Sequence, residues 1–321
     1  MKPGTYLLAA LMLECVSAAA WPQAYPNRPI RMIVPWPPGG GTDIFARTIG
    51  LKMTESWGQQ VIIDNRPGAA GNIGAQAAAK APADGYTLLL ATLTMATSPS
   101  IYKSPGYDPL RDFDTITLIA GVPHLLVVHP SLPVKSVKEL LALAKSQPGQ
   151  LNYASAGNGS PFHLAGELFN LLGEVKINHV PYKGGGPAVV DVIGGQVHLT
   201  FANLVAVLPQ VQAGKLRALG LTSAKRSVAA PDLPTIAEGG LPGYDFTSWF
   251  GMWSPAGTPK EIVQRLNDQI VKILRSREVK ERFTRDGADV IGNSPQEFAA
   301  YVKSETAKWA KVIKEAGIRA E

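Results

Sequence analysis

The residues RPIRMIVPWPPGGGTDIFARTIGLKM, positions 28–53, decide the fold. Pro29–Val34 is a short β-rich run that empties into Pro35-Trp36-Pro37-Pro38-Gly39-Gly40-Gly41, and Thr42 or Asp43 is the expected N-cap of the helix that follows. That helix carries Ile44, Phe45, Ile49, Leu51 and Met53. The device repeats at once: Val61–Asp64 reads as a strand, Pro67-Gly68-Ala69-Ala70-Gly71-Asn72 as a turn opening a second helix, and Tyr86–Ala91 as a third strand. Two glycine-rich turns at one edge of a parallel sheet aim free backbone N–H groups into one crevice. An anion fits there without a dedicated cation.

The same alternation resumes downstream. Ile116–Val128 reads as extended chain, Val137–Ala144 as a helix, and Leu151–Ala154 as a strand ending in Gly157-Asn158-Gly159-Ser160-Pro161. Phe162–Leu172 (helix), Ile177–Val180 (strand) and the turn Tyr182-Lys183-Gly184-Gly185-Gly186-Pro187 follow, then Ala188–Ile193 (helix), His198–Phe201 (strand), Val205–Ala213 (helix) and Leu216–Thr222 (strand). The strand-turn-helix device therefore occurs twice in each half, which makes an α/β clamshell of two lobes around a common crevice. The helices Pro259–Leu274, Glu278–Asp286 and Pro295–Ala316 break the alternation and are expected to brace the first lobe. Crossings are expected near 117–128 and 217–224, giving lobe 1 as residues 25–124 and 225–321 and lobe 2 as 125–224.

Bulk composition narrows the function classes. The chain has 321 residues, 45% hydrophobic and 17% charged, enough to bury substantial cores. Its formal charge of +6 comes from scattered Lys and Arg; no basic run with interleaved aromatics points to nucleic acid. Residues 1–24 read as an export signal: Lys2 supplies the positive end, Tyr6–Leu13 the apolar core, and cleavage is expected near Ala20 or Ala24. Cys15 is the only cysteine, so lipidation there is the alternative and the mature chain has no thiol chemistry.

Candidate chemistry is sparse. No GxxxxGK[ST] or GxGxxG occurs, which argues against nucleotides. His124, His129, His163, His179 and His198 show no metal-ligand spacing, and neither metal nor cofactor is implied. Ser160 and His163 share a helical face and offer a serine-hydrolase reading, but no GxSxG surrounds the serine and Glu167 stacks on the same helix. Their other reading is Ser160 as an N-cap or hydroxyl donor and His163 as a packed residue. Trp36, held between prolines, is either an aromatic wall of the crevice or interlobe packing; Lys183 is either solvated or paired to a ligand carboxylate.

The stretches RPIRMIVPWPPGGGTDIFAR, VIIDNRPGAAGNIGAQAAAKAPADGYTLLLAT, LNYASAGNGSPFHLAGELF (151–169), HVPYKGGGPAVVDVIGGQV (179–197) and LPTIAEGGLPGYDFTSWFG (233–251) resemble the Bug, or TctC-like, family of tripartite tricarboxylate transporter receptors. The resemblance covers essentially the whole mature chain. It implies a two-lobed Venus-flytrap fold of the type II periplasmic binding protein class with two crossover strands. It also implies a monomeric periplasmic receptor for a small carboxylate, delivering to a membrane permease or informing a sensor domain, and no enzyme. Carried over by position, Trp36, Pro38, Gly39, Gly40, Gly41, Thr92 and Thr94 would line one side of the cleft. Ser155, Gly157, Ser160, His163, Tyr182, Lys183, Gly184 and Gly185 would line the other. Family members often carry Asp where this chain has Ala202, and its absence argues for di-, tri- or aromatic carboxylates over amino acids.

Overall fold

The computed structural model describes residues 25–315, 317 and 318; the leader, with Cys15 and both expected cleavage points, lies outside them. In chain order the elements are β1 (Ile30–Val34), α1 (Gly41–Trp57), β2 (Val61–Asn65), α2 (Asn72–Ala79), β3 (Thr87–Thr92), α3 (Thr94–Ile101) and the long β4 (Phe113–Val128). Next come α4 (Val137–Ser146), β5 (Asn152–Ser155), α5 (Pro161–Gly173), β6 (Asn178–Pro181), α6 (Gly185–Ile193), β7 (Leu199–Asn203), α7 (Leu204–Gln212) and β8 (Arg217–Leu221). The chain finishes with β9 (Thr247–Pro255), α8 (Lys260–Arg275), α9 (Arg277–Arg285), β10 (Asp289–Val290) and α10 (Pro295–Glu315).

The strands run in the order β2-β1-β3-β9-β4-β7-β5-β6, with β8 and β10 also paired to β4. β1 is parallel to β2 and β3, and β5 is parallel to β6 and β7, as crossover helices require. β4 belongs to both lobes. Its first part pairs with β9 up to Pro123↔Thr247, and its remainder pairs with β7 from His124↔Asn203 onward. A strand that changes partners between consecutive residues opens a gap between the ends of β9 and β7, and that gap becomes the crevice floor.

Helices cover both faces of the sheets, so the strands read as continuous apolar runs. In lobe 1 alternate residues divide between two cores: Met32, Leu88, Leu90, Phe250 and Met252 pack with Phe45 and Phe283, whereas Ile33, Leu89, Trp249 and Trp253 pack with Phe298 and Val302 of α10. The C-terminal helices thus brace lobe 1. Buried Glu305 pins α10 by accepting from Trp249 Nε1 at 3.0 Å and Trp309 Nε1 at 3.1 Å. Glu305→Ala leaves two indole N–H groups without an acceptor, each an unpaired buried donor worth about 1–3 kcal/mol. We expect urea unfolding to show a loss of about 3 kcal/mol, with Glu305→Gln, which keeps an acceptor oxygen, losing less than about half of that. Equal losses in the two variants would contradict the role given to the oxygen.

The return crossing comes later than 217–224. β8 pairs wholly with the lobe 2 part of β4. Residues 223–246, read from the sequence as mostly lobe 1, pack on lobe 2: Ile236 N–H bonds Leu221 O, and the Tyr244 hydroxyl donates to Ala165 O at 2.8 Å. The chain re-enters lobe 1 between Phe246 and β9. Sequence marks the end of a strand well, but a compact loop that folds back onto its own lobe has no periodicity to reveal it. Thr222 ties the two crossings together: its Oγ1 accepts from the His124 N–H at 2.7 Å, its N–H donates to His124 O at 2.9 Å, and its carbonyl accepts from the Phe246 N–H at 2.7 Å.

Candidate functional site

Between the lobes lies a cavity of about 140 Å³, roughly ten times the space one water needs. Strand parity builds its floor. Ala120 opposes Phe250, Val122 opposes Ser248, and His124 opposes Asn203. Residues two apart on a strand, and residues directly opposed, share a face. Phe250, Ser248, His124 and Asn203 therefore converge, and all four line the cavity.

Helix N-termini form its two sides. From lobe 1 come Gly39, Gly40, Gly41 and Thr42 at the start of α1; from lobe 2 come Gly185 and Gly186 at the start of α6. Neither helix has a side-chain cap: α1 begins after Gly40 and α6 after Gly184. The first N–H groups of a helix have no intrahelical acceptor, and the macrodipole makes that end positive. The neighbouring α5 differs, because Ser160 caps it by accepting from the His163 N–H at 3.3 Å, and it presents Pro161 and Phe162 to the cavity. Two uncapped helix starts, one per lobe, thus face a common space.

A network behind the cavity holds the first turn in shape. Asp43 accepts from the Gly39 N–H at 3.0 Å, Arg47 Nε at 2.8 Å and Asn65 Nδ2 at 2.9 Å, and Asn65 Nδ2 also reaches Trp36 O at 3.0 Å. Burial works against the Asp43 charge, yet the bonds from Arg47, Gly39 and Asn65 outweigh it and hold the carboxyl below its ordinary range. This corrects the expected N-cap. The helix starts at Gly41, so Thr42 and Asp43 lie in its first turn, and Asp43 reaches backward instead of capping at its own position. Gly39 and Gly184 have φ of +84° and +133°, where only glycine is unstrained, and a Cβ on Gly184 would stand 2.6 Å from Pro37.

The lining carries no Asp, Glu, Lys or Arg. It does carry polar atoms that are buried and have no protein partner: Trp36 Nε1, both ring nitrogens of His124, Asn203 Oδ1 and Ser248 Oγ. Burial drives His124 down to about 3, so its imidazole is neutral at ordinary pH. The ring is held edge-on between Phe162 and Phe246, each with its centroid 5.3 Å away. Buried polar groups are nearly always hydrogen-bonded in folded proteins, so several orphans around one cavity mark a place built for a polar ligand.

Of the residues expected at the site, Trp36, Gly39, Gly40, Gly41, Thr92 and Gly185 line the cavity. Gly157, Tyr182 and Lys183 instead line an outer hollow of about 210 Å³ that shares Trp36 and Ala156 with it. Pro38 is exposed beside Pro37, which lines the cavity in its place. Gly184 is the residue before α6, and Thr94 lies behind Thr92, its hydroxyl 3.2 Å from the Thr92 hydroxyl. Ser155 is buried against His179 Nε2 at 2.5 Å. Ala202 is buried in the core beside the cavity rather than lining it; strand parity gives the site Asn203.

Ser160 and His163 do not form a nucleophile–base pair. Ser160 is fully buried and its oxygen serves the backbone of His163, while His163 Nδ1 accepts from the Gly159 N–H at 2.9 Å. Ser160→Ala is therefore expected to lower stability by about 1 kcal/mol, the worth of an N-cap, with ligand affinity within about twofold of wild type. Chemical denaturation and a binding titration check both parts; lost binding in a fully folded variant would contradict the capping role.

Sequence reasoning missed His124, Asn203, Ser248, Phe162 and Phe250. His124 did carry a signal: it is the one polar ring in the apolar run GVPHLLVV, at the expected crossing. Ser248 and Asn203 carried none, since their convergence depends on which strands pair.

The chain is similar in sequence and fold to several known proteins. The family model described as "Tripartite tricarboxylate transporter family receptor" matches residues 45–318. An R. palustris protein solved with adipate is 44% identical with a TM-score of 0.90, covering 92% of this chain and 99% of its own. The periplasmic binding protein BugD is 37% identical with a TM-score of 0.89, over 92% and 100% of the two chains. MatC from Rhodopseudomonas palustris, solved with bound malate, is 33% identical with a TM-score of 0.86, over 90% and 100%. The two-lobed periplasmic binding protein fold expected from the sequence is the fold observed.

Proposed function

The chain belongs to the tripartite tricarboxylate transporter receptor family, and from that premise we propose that its interlobe cavity reversibly captures a small organic carboxylate. The observation that carries this reading is the pair of uncapped helix starts, α1 and α6, facing one uncharged cavity from opposite lobes. A carboxylate at a helix N-terminus gains about 0.3–1 kcal/mol, up to about 2 when partly buried. Charge-assisted bonds from backbone N–H groups add about 1.5–3 kcal/mol each. Set against the entropy of association, a few such contacts give roughly micromolar binding, near −8 kcal/mol. Because the anion meets no fixed opposite charge, release remains easy.

Several finer readings follow from the same cavity. An amino acid would bring an ammonium group into a lining that holds no carboxylate, which disfavours zwitterions. Adipate and malate bound to the R. palustris neighbours support carboxylates as the ligand class. Closure of the two lobes about the crossings at His124 and after Phe246 would convert occupancy into a surface for a membrane permease. We place the mature protein in the periplasm as a monomer after cleavage near Ala20 or Ala24. Among the described residues no helix is long and apolar enough to cross a membrane.

A thermal-shift panel of mono-, di- and tricarboxylates, aromatic acids and amino acids tests the reading. A ligand at a hundredfold excess over Kd adds about 2.7 kcal/mol to stability. Shifts confined to carboxylic acids are expected. Shifts with amino acids alone, or with no acid, would overturn it.

A further inference from the structure

Anion capture at the helix starts leaves the cavity floor unexplained. His124, Asn203 and Ser248 are between 1% and 6% exposed and meet where β4 changes partners, and each has a polar atom with no protein partner. Their hydrogen-bonding character is mixed. A neutral imidazole has one donor and one acceptor nitrogen, Asn203 Oδ1 accepts, and the Ser248 hydroxyl does either. A carboxylate only accepts, so a second carboxylate here could take the imidazole N–H and the Ser248 hydroxyl but would leave Asn203 Oδ1 and the other imidazole nitrogen unpaired, and no Lys or Arg lines the cavity to offset its desolvation. An ammonium group only donates and finds no carboxylate. A hydroxyl donates one hydrogen bond and accepts two, which matches the floor.

Building on the receptor reading above, we infer that His124, Asn203 and Ser248 form a specificity-determining subsite for an uncharged hydroxyl. The ligand is then a monocarboxylic acid whose anion meets the helix starts, whose apolar body lies against Phe162 and Phe250, and whose far end carries the hydroxyl. Discrimination arises because an analogue without the hydroxyl leaves the buried floor unpaired, and one with a second charge must desolvate it there. The R. palustris neighbour solved with adipate makes that dicarboxylate the sharpest competitor.

The test is calorimetric titration of the mature protein with two matched sets of acids: 4-hydroxybenzoate, benzoate and terephthalate, and 6-hydroxyhexanoate, hexanoate and adipate. In whichever set binds, the hydroxy acid is expected to bind at least about tenfold tighter than both relatives. Ser248→Ala and His124→Phe are each expected to cut that preference, read as the ratio of the hydroxy acid's affinity to the unsubstituted acid's, by roughly three- to tenfold. Ser248→Ala removes a single oxygen and keeps the test alive should His124→Phe fail to fold. Terephthalate or adipate binding as tightly as the hydroxy acid overturns the subsite while the receptor reading stands. So does an undiminished preference in Ser248→Ala. Binding by none of these six acids, with a thermal shift from another carboxylic acid of the panel above, overturns the subsite while the receptor reading stands.

Discussion

Gly40→Val and Gly186→Val are each expected to weaken carboxylate binding by at least about a hundredfold while leaving the protein as stable as wild type. Both residues line the cavity at an uncapped helix start. Neither requires glycine for its backbone: φ at Gly40 is −82°, and Gly186 is outside the left-handed region. A Cβ on Gly40 meets nothing nearer than Pro37 O at 3.9 Å, and one on Gly186 meets nothing within 4 Å. The added methyls enter open space beside the free N–H groups and keep the anion from reaching them. Loss of two charge-assisted bonds, about 3 kcal/mol or more, is a factor of about a hundred or more. Gly184 is the wrong position for this experiment, because its φ of +133° and its closeness to Pro37 would strain any replacement. Calorimetric titration alongside thermal unfolding reads both halves of the prediction. Undiminished affinity in folded Gly40→Val and Gly186→Val would contradict the amide cradle.

The second large effect is on stability below neutral pH. Burial lowers His124 and His163 to about 3 and His179 to about 4, and the stacked His179 ring, 3.9 Å away, pushes His163 further in the same direction. The unfolded chain takes up these protons near the ordinary histidine value of 6.5, whereas the folded chain does not. The stability tied to the neutral rings is therefore fully present above pH 6.5 and is lost as pH falls toward the folded values. Each fully buried histidine contributes about 1.4 kcal/mol per pH unit in that window. For His124 and His163 together this amounts to about 4 kcal/mol between pH 7.5 and 5. Glu167 runs the other way, since burial raises its carboxyl and its protonation favours the folded state. Urea unfolding at pH 7.5 and 5.0 should show the loss, and His163→Gln should reduce it by about one histidine's share. Equal stability at the two pH values would contradict neutral, buried rings.

What the sequence revealed divides by the range of the interaction. Strands such as Ile30–Val34 and helices such as Phe162–Leu172 were legible because periodicity and glycine turns are local, and the same turns placed Gly40, Gly41 and Gly185 at the cavity. The first helix start was misread because Asp43 reaches back to the Gly39 N–H, a bond that resembles capping in sequence but is shifted in register. The floor was illegible for a different reason. His124, Asn203 and Ser248 are neighbours only because β4 exchanges β9 for β7 between Pro123 and His124, and pairing between distant strands leaves no mark on any one segment. Ala202 drew attention by comparison with its family, yet one residue of strand parity separates it from the residue that faces the cavity.

Backbone N–H groups of two helix starts are proposed to hold the ligand's carboxylate. The most direct test of this is an amide-resolved NMR titration of the mature protein with 4-hydroxybenzoate and adipate. The N–H resonances of Gly40, Gly41, Gly185 and Gly186 are expected to shift together, saturating with one affinity. Saturable binding that leaves those four amides unmoved, or that perturbs only the outer hollow around Gly157 and Lys183, would contradict it.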